Sequence, residues 1–191
     1  ECDWSSDVCS SDLAYRSQLE QFVYHSGNFM KPIFSSARRA SARRIAYAEG
    51  EDERVLRAVQ VVVDEKLARP VVIGRPMVVE QRIERLGLRV RPGTDFDLIN
   101  PDQDDRYREY WSEYLRLTAR KGVSEAYAKL EMRRRPTLIG AMMVRLGAAD
   151  GMICGTAGPF SEHLRYIDQV IGKQKGSRVY AAMNTLMLPG R

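Results

Sequence analysis

Apolar residues recur along this chain with two alternating periods. Between residues 15 and 24, Leu19, Phe22 and Val23 fall at helical spacing and predict a short amphipathic helix, which Gly27-Asn28 stops. Met30-Lys31-Pro32-Ile33-Phe34 leads into a second short helix, predicted over 34–39, with Pro32 suited to a helix start. The leader of residues 14–42 is apolar on one face and is expected to link and dock. After it the pattern changes. Arg44–Ala48 predicts a strand, and Glu49-Gly50-Glu51-Asp52 a turn and helix cap. A helix over 52–67 follows, with Val55, Leu56, Val59, Val62 and Val63 on one face. Pro70-Val71-Val72-Ile73 is a short, wholly apolar run that predicts another strand, and Pro76–Leu86 the next helix.

A third strand is predicted over Phe96–Ile99, then a helix that gathers Tyr107, Tyr110, Trp111, Tyr114 and Leu115. That stripe reads as core, not as a stacking platform. Helices over 124–134 and 137–147 follow, the second so apolar that it must be almost entirely buried. Gly151–Cys154 then predicts a buried strand, followed by a glycine-rich turn and a helix over 159–171 with Phe160, Leu164, Ile167 and Ile171 turned inward. Strand and helix in alternation predict an α/β fold, a parallel sheet flanked by helices.

Composition changes this picture in one place. Residues 1–13 (Asp3-Trp4-Ser5-Ser6-Asp7-Val8-Cys9 and onward to Leu13) resemble a translated sequencing adapter and are expected to be foreign to the fold. They carry four acids and no base, so the other 178 residues hold 30 bases and 21 acids, a net charge of +9 where the whole chain has +5. Cys2 and Cys9 go with them, and a lone Cys154 forms no internal disulfide. The bases are scattered as helical pairs such as Arg38-Arg39 and Arg43-Arg44, without interleaved aromatics, which disfavours a nucleic-acid module. An acidic small ligand or acidic partner uses the surplus better. Arg133-Arg134-Arg135 before Pro136 has a plainer use, since cations at a helix C-terminus complement its dipole. No run approaches the roughly 18 apolar residues of a membrane span, and no basic segment with an apolar core opens the chain. The expected location is cytoplasmic, with no membrane partner.

The candidate chemistry lies in Gly155-Thr156-Ala157-Gly158-Pro159-Phe160-Ser161. A turn between a strand's carboxyl end and a helix N-terminus offers free N–H groups to an anion. Gly155 and Gly158 serve a simple tight turn equally well. Gly172-Lys173 follows a helix and lacks the Ser or Thr of a Walker loop. His25 lies in the leader and His163 has no second ligand or nucleophile at a telling spacing, so both read as structural or solvated.

Three segments in order, Ile45-Ala46-Tyr47-Ala48-Glu49-Gly50-Glu51-Asp52, Pro70-Val71-Val72-Ile73-Gly74-Arg75-Pro76 and Asp150-Gly151-Met152-Ile153-Cys154-Gly155, resemble the phosphate acetyl/butyryltransferase family. The leader and the segment from Asn100-Pro101-Asp102 to Tyr110-Trp111 resemble the hybrid NADP-dependent malic enzymes, in which a malic enzyme precedes a transacetylase-like domain. The resemblance implies a two-domain fold related to the isocitrate and isopropylmalate dehydrogenases. Residues 43–173 would be its first lobe and 174–191 the start of a truncated second. It implies acetyl-CoA or phosphate as ligand, with Gly155, Thr156, Ser161 and Arg165 as binding candidates, and no catalytic or metal residue in this chain. NADP and a divalent metal would belong to malic-enzyme domains outside it. Arg165 matches the arginine of the transferases' Arg-Pro pair, but Tyr166 replaces the proline and Ala157-Gly158-Pro159-Phe160 replaces small polar residues. That departure favours an acetyl-CoA-responsive regulatory and homo-oligomerisation domain over a catalytic phosphate acetyltransferase, the alternative reading.

Overall fold

The computed structural model describes residues 30–40 and 43–184. Residues 40–180 form one compact unit. Outside it, residues 30–39 form helix α1, and 181–184 carry no helix or strand. Helix α1 begins four residues before its predicted start, with Pro32 in the first turn, where a missing N–H breaks no intrahelical bond. The adapter-like segment 1–13 and the helix predicted over 15–24 lie outside the described residues.

Within the compact unit the order is β1 (Arg44–Tyr47), α2 (Glu53–Asp64), β2 (Arg69–Ile73), α3 (Pro76–Arg85), β3 (Asp97–Ile99) and α4 (Tyr107–Thr118). A 3-10 turn at Ala119–Lys121 leads to α5 (Glu125–Arg134), α6 (Pro136–Arg145), β4 (Gly151–Ile153) and α7 (Phe160–Val170). The four strands form a parallel sheet in the order β3-β2-β1-β4. Ile45 sits opposite both Pro70 and Gly151, and Val72 opposite Leu98.

Strand side chains alternate between two cores, as the two-residue period requires. Ala46, Val71 and Ile73 pack against Tyr110, Met132, Leu138 and Met142 of the α4–α6 layer. Tyr47 and Val72 pack on the opposite face against Leu56 and Val59 of α2 and Val79 of α3. Helix α6 is buried from Thr137 through Met143, as its apolar sequence requires. The aromatic stripe of α4 is core, and its hydroxyls have partners: Tyr107 Oη donates to the Lys129 carbonyl, and Tyr114 Oη to Gln169 Oε1 at 3.0 Å.

Two expectations need correction. The inward face of α7 is Tyr166 and Val170, whereas Phe160 is 76% and Ile171 43% exposed. The helix is rotated because it packs on α6 through Tyr166, whose hydroxyl reaches the buried Glu131 of α5. Strand β4 is not fully buried: Ile153 is 52% exposed and Cys154 half-buried. Among the described residues β4 pairs on one side only, with β1, and an edge strand leaves one flank to solvent.

Candidate functional site

All four strands end at the same rim, and their following loops meet there. Backbone bonds fasten the rim: Ala48 N–H donates to the Ile153 carbonyl, Gly50 N–H to Ile73 and Gly74 N–H to Ile99, each at 3.0 Å. Gly50 is needed for this closure. A Cβ there would stand 2.2 Å from Val72 Cγ1 and 2.6 Å from the Ile73 carbonyl oxygen. The next residues, Glu51 and Asp52, carry carboxylates on the rim. Asp52 caps α2 by accepting from Arg54 N–H at 2.8 Å, and the Arg54 guanidinium lowers its carboxyl to about 2. Glu51 accepts from Arg75 Nε and Nη2 at 2.8 Å each, and those bonds hold it below its ordinary value.

Two cavities open on this rim. The first, about 380 Å³, is walled by Gly50, Glu51, Gly74, Arg75, Arg82 and Arg133, among others. The second, about 300 Å³, is walled by Arg134, Arg135, Thr137, Gly158, Glu162 and His163, among others. Glu49, Pro136 and Ala157 line both, so the cavities adjoin. Five arginines and five carboxylates (Glu49, Glu51, Asp52, Asp102 and Glu162) thus line the cavities at the carboxyl ends of a parallel sheet, where open α/β folds bind ligands. Arg133 also stacks on the Tyr107 ring, 4.8 Å from its centroid, and Arg135 Nη1 pairs with Glu162 at 2.8 Å.

The glycine turn between β4 and α7 closes one side. Gly155 and Gly158 adopt φ of +103° and +92°, the left-handed region that admits glycine at little cost. Gly155 N–H donates to Glu49 Oε1 at 3.0 Å, and the Thr156 carbonyl accepts from Arg54 Nη2 at 2.8 Å. Thr156 Oγ1 is buried without a partner among the described residues. Ser161 is exposed in the first turn of α7. Arg165 lines neither cavity; its guanidinium lies 4.7 Å from the Tyr166 ring centroid and donates to Tyr166 Oη at 2.8 Å. The structure therefore brings Gly155 and Thr156 to the rim and holds Arg165 on the tyrosine that stands in the proline's place.

Sequence spacing did not reveal His163, because two of its neighbours, Thr137 and Glu49, lie on distant segments. Nε2 bonds to the Ala157 carbonyl at 2.7 Å and Nδ1 to Thr137 Oγ1 at 2.7 Å, while Glu49 Oε1 stands 3.7 Å from Nδ1. Cys154 completes the group: burial pushes its thiol up, and a hydrogen bond from Thr137 opposes that shift. Among the described residues no three His, Cys, Asp or Glu side chains gather as a metal site, and no helix is long and apolar enough to cross a membrane.

The fold is a parallel α/β sheet with adjoining clefts at its carboxyl rim, lined by arginines and carboxylates together. The family model for phosphate acetyl/butaryl transferase matches residues 28–191, and the chain belongs to that family. It is 47% identical over 174 residues to an NAD-dependent malic enzyme of Rhizobium meliloti (strain 1021), covering 91% of this chain and 23% of that protein. It is 46% identical over 175 residues to an NADP-dependent malic enzyme of Escherichia coli (strain K12), covering 92% and 23%. A phosphate acetyltransferase of Corynebacterium glutamicum is 29% identical over 153 residues, covering 80% and 45%. Among solved structures, the EutD phosphotransacetylase from Staphylococcus aureus superposes with a TM-score of 0.68 at 26% identity, over 78% of this chain and 45% of that one. The chain thus spans about a quarter of the length of the malic enzymes it matches.

Proposed function

We propose that this chain is the acetyl-CoA-responsive regulatory and oligomerisation domain of an NADP-dependent cytoplasmic malic enzyme. One observation carries the reading: identity to the two malic enzymes is 46–47% over nine-tenths of the chain, against 29% to the phosphate acetyltransferase. NADP and a divalent metal would act in malic-enzyme domains outside this chain; one of those relatives is NAD-dependent, so assays with both nucleotides decide that point. Residues 43–173 would form the first lobe of a two-domain, isocitrate dehydrogenase-like arrangement, with 174–191 entering the second.

Acetyl-CoA or phosphate would enter the rim cavities. Gly155, Thr156, Ser161 and Arg165 are the proposed ligand set on the turn side, and Arg75, Arg82 and Arg133 line the first cavity. Fixed guanidinium groups suit phosphate oxygens because their donors match them two at a time. Contact with Arg165 requires its guanidinium to leave Tyr166. Acetyl-CoA titrated into the intact protein during malate oxidation is expected to change the rate, and Arg133→Ala to weaken that response roughly ten- to hundredfold. A rate indifferent to acetyl-CoA would sink the regulatory reading.

A second reading, catalytic phosphate acetyltransfer, is favoured by the resemblance in fold to a phosphotransacetylase. Acetyl phosphate formed from acetyl-CoA and phosphate by the intact protein would establish it in place of the first.

A further inference from the structure

We propose that the first rim cavity holds a phosphorylated ribose, with Arg82 and Arg133 taking the phosphate and Asp102 accepting from the hydroxyl beside it. This rests on the acetyl-CoA reading above and deepens it, because the 3′-phosphate and 2′-hydroxyl of that coenzyme's ribose are such a pair.

Charge pairing around the cavity leaves three groups over. The lining holds the carboxylates of Glu49, Glu51, Asp52 and Asp102. Three are engaged: Glu51 by Arg75, Asp52 by Arg54, and Glu49 by Gly155 N–H. Among the described residues the Asp102 carboxylate makes no hydrogen bond or ion pair, although it stands near enough to Arg75 to raise that guanidinium. Arg82, half-buried, likewise makes none, although its charge helps to lower Glu51.

Arg133 is held without being neutralised. Its guanidinium stands over Tyr107, 4.8 Å from the centroid, and that ring is fixed by its hydroxyl bond to the Lys129 carbonyl. The N–H groups of a guanidinium point outward in its own plane, so stacking occupies a face and leaves the donors free. Two arginines and one carboxylate therefore remain without an ionic partner in one cavity of about 380 Å³.

The fold supplies the three from separate elements. Arg82 lies on α3, which packs on one face of the sheet through Val79 and Ile83; Arg133 lies on α5, which packs on the other through Ala128 and Met132. Asp102 follows β3, in a loop fastened by its own N–H to Asn100 Oδ1 at 3.1 Å. The strand ends thus receive a guanidinium from each face of the sheet. Such donors suit a phosphate, whose oxygens accept in several directions, and a carboxylate at the end of a parallel sheet suits a ribose hydroxyl. A plain anion would meet repulsion from Asp102 and give it no partner, whereas a sugar phosphate answers all three groups.

Adenosine 3′,5′-bisphosphate and adenosine 5′-monophosphate, which differ only in the 3′-phosphate, are titrated into the intact protein with and without acetyl-CoA. The bisphosphate is expected to bind about ten- to hundredfold more tightly and to compete with acetyl-CoA. Arg82→Ala should abolish that preference. Arg82→Lys, which keeps the charge but loses the paired donors, should retain part of it and gives the answer where the alanine variant melts early. The 2′-deoxy bisphosphate should bind about three- to tenfold less tightly than the ribose form, a difference that disappears in Asp102→Ala. Equal binding of the two nucleotides, or a full preference in both Arg82 variants, overturns the subsite and leaves the acetyl-CoA reading standing. A deoxy penalty that survives Asp102→Ala removes Asp102 from it. Acetyl-CoA that fails to bind overturns the regulatory reading instead, and a bisphosphate that still binds through Arg82 in that protein assigns the subsite to a free nucleotide.

Discussion

Arg54 Nη2 donates to the Thr156 carbonyl at 2.8 Å while the same guanidinium grips Asp52 Oδ1 and Oδ2 at 3.1 and 2.9 Å. The first turn of α2 and the glycine turn before α7 thus share one cation, although 102 positions separate the two residues. Arg54 is largely exposed, and its pairing with Asp52 is screened, so it acts on the turn's order more than on global stability. Arg54→Ala is expected to speed amide exchange at Gly155–Gly158 and leave the melting temperature nearly unchanged. Unaltered exchange in the turn would show that Glu49 and His163 hold it without help.

Gly50→Ala tests the closure of the rim. The added methyl would press on Val72 Cγ1 and on the Ile73 carbonyl, which is backbone and cannot rotate away. Overpacking of this kind costs about 1–3 kcal/mol. A thermal melt should show that loss, and cavity ligands should bind less tightly as the loop lifts from β2.

Glu113 predicts an acid-sensitive helix contact. Hydrogen bonds from Arg116 first and Arg145 next lower its carboxyl from 4.5 to about 2. Arg145 lies on α6, so the pair Arg145–Glu113 at 2.9 Å ties α4 to α6. A carboxylate lowered on folding stabilises the native state above its unfolded value; that contribution fades as pH falls from about 4.5 toward 2. With Arg116 66% exposed, solvent screening reduces the worth of the group to about 0.5–1 kcal/mol. Glu113→Gln should lower stability by that amount at pH 7 and flatten its decline between about pH 4.5 and 2. A parallel decline in both proteins would assign the acid sensitivity elsewhere.

Tyr166 joins α7 to α5 and holds Arg165 in place. Its hydroxyl donates to Glu131, which is 6% exposed, and accepts from Arg165; burial and the neighbouring carboxylate keep the phenol protonated far above its ordinary range. Tyr166→Phe leaves the Glu131 carboxylate with Arg135 Nε at 3.8 Å and should cost about 1–3 kcal/mol in a denaturant melt. The same change releases the Arg165 guanidinium from its hydroxyl acceptor. If Arg165 belongs to the ligand set, Tyr166→Phe tightens acetyl-CoA binding and Arg165→Ala weakens it; identical affinities in both would remove Arg165 from that set.

Much of the fold was legible in the pattern of residues, because each element obeys a short-range rule. The run Pro70-Val71-Val72-Ile73 is apolar at every position, as a parallel strand covered on both faces must be, and β2 is that strand. Thr137 through Met143 have no polar face, and α6 is the helix enclosed between the sheet and its neighbours. Positive φ at Gly155 and Gly158 was foreshadowed by their spacing between strand and helix.

Where elements face one another was not legible in the same way. Phe160, Leu164, Ile167 and Ile171 make as good a stripe as Tyr166 and Val170, and a helical wheel cannot choose between them. The choice was made by Tyr166 finding Glu131, 35 positions away. The site shows the same division. Residue type and order alone pointed to the glycine turn and to the family. Glu49 against Gly155 and His163 against Thr137 are contacts between segments that only the tertiary structure brings together, while His163 on Ala157 and Arg165 on Tyr166 are local contacts that residue spacing alone did not single out. Local propensity determines which elements form; partner choice depends on crossing connections, and those exist only once the sheet has assembled.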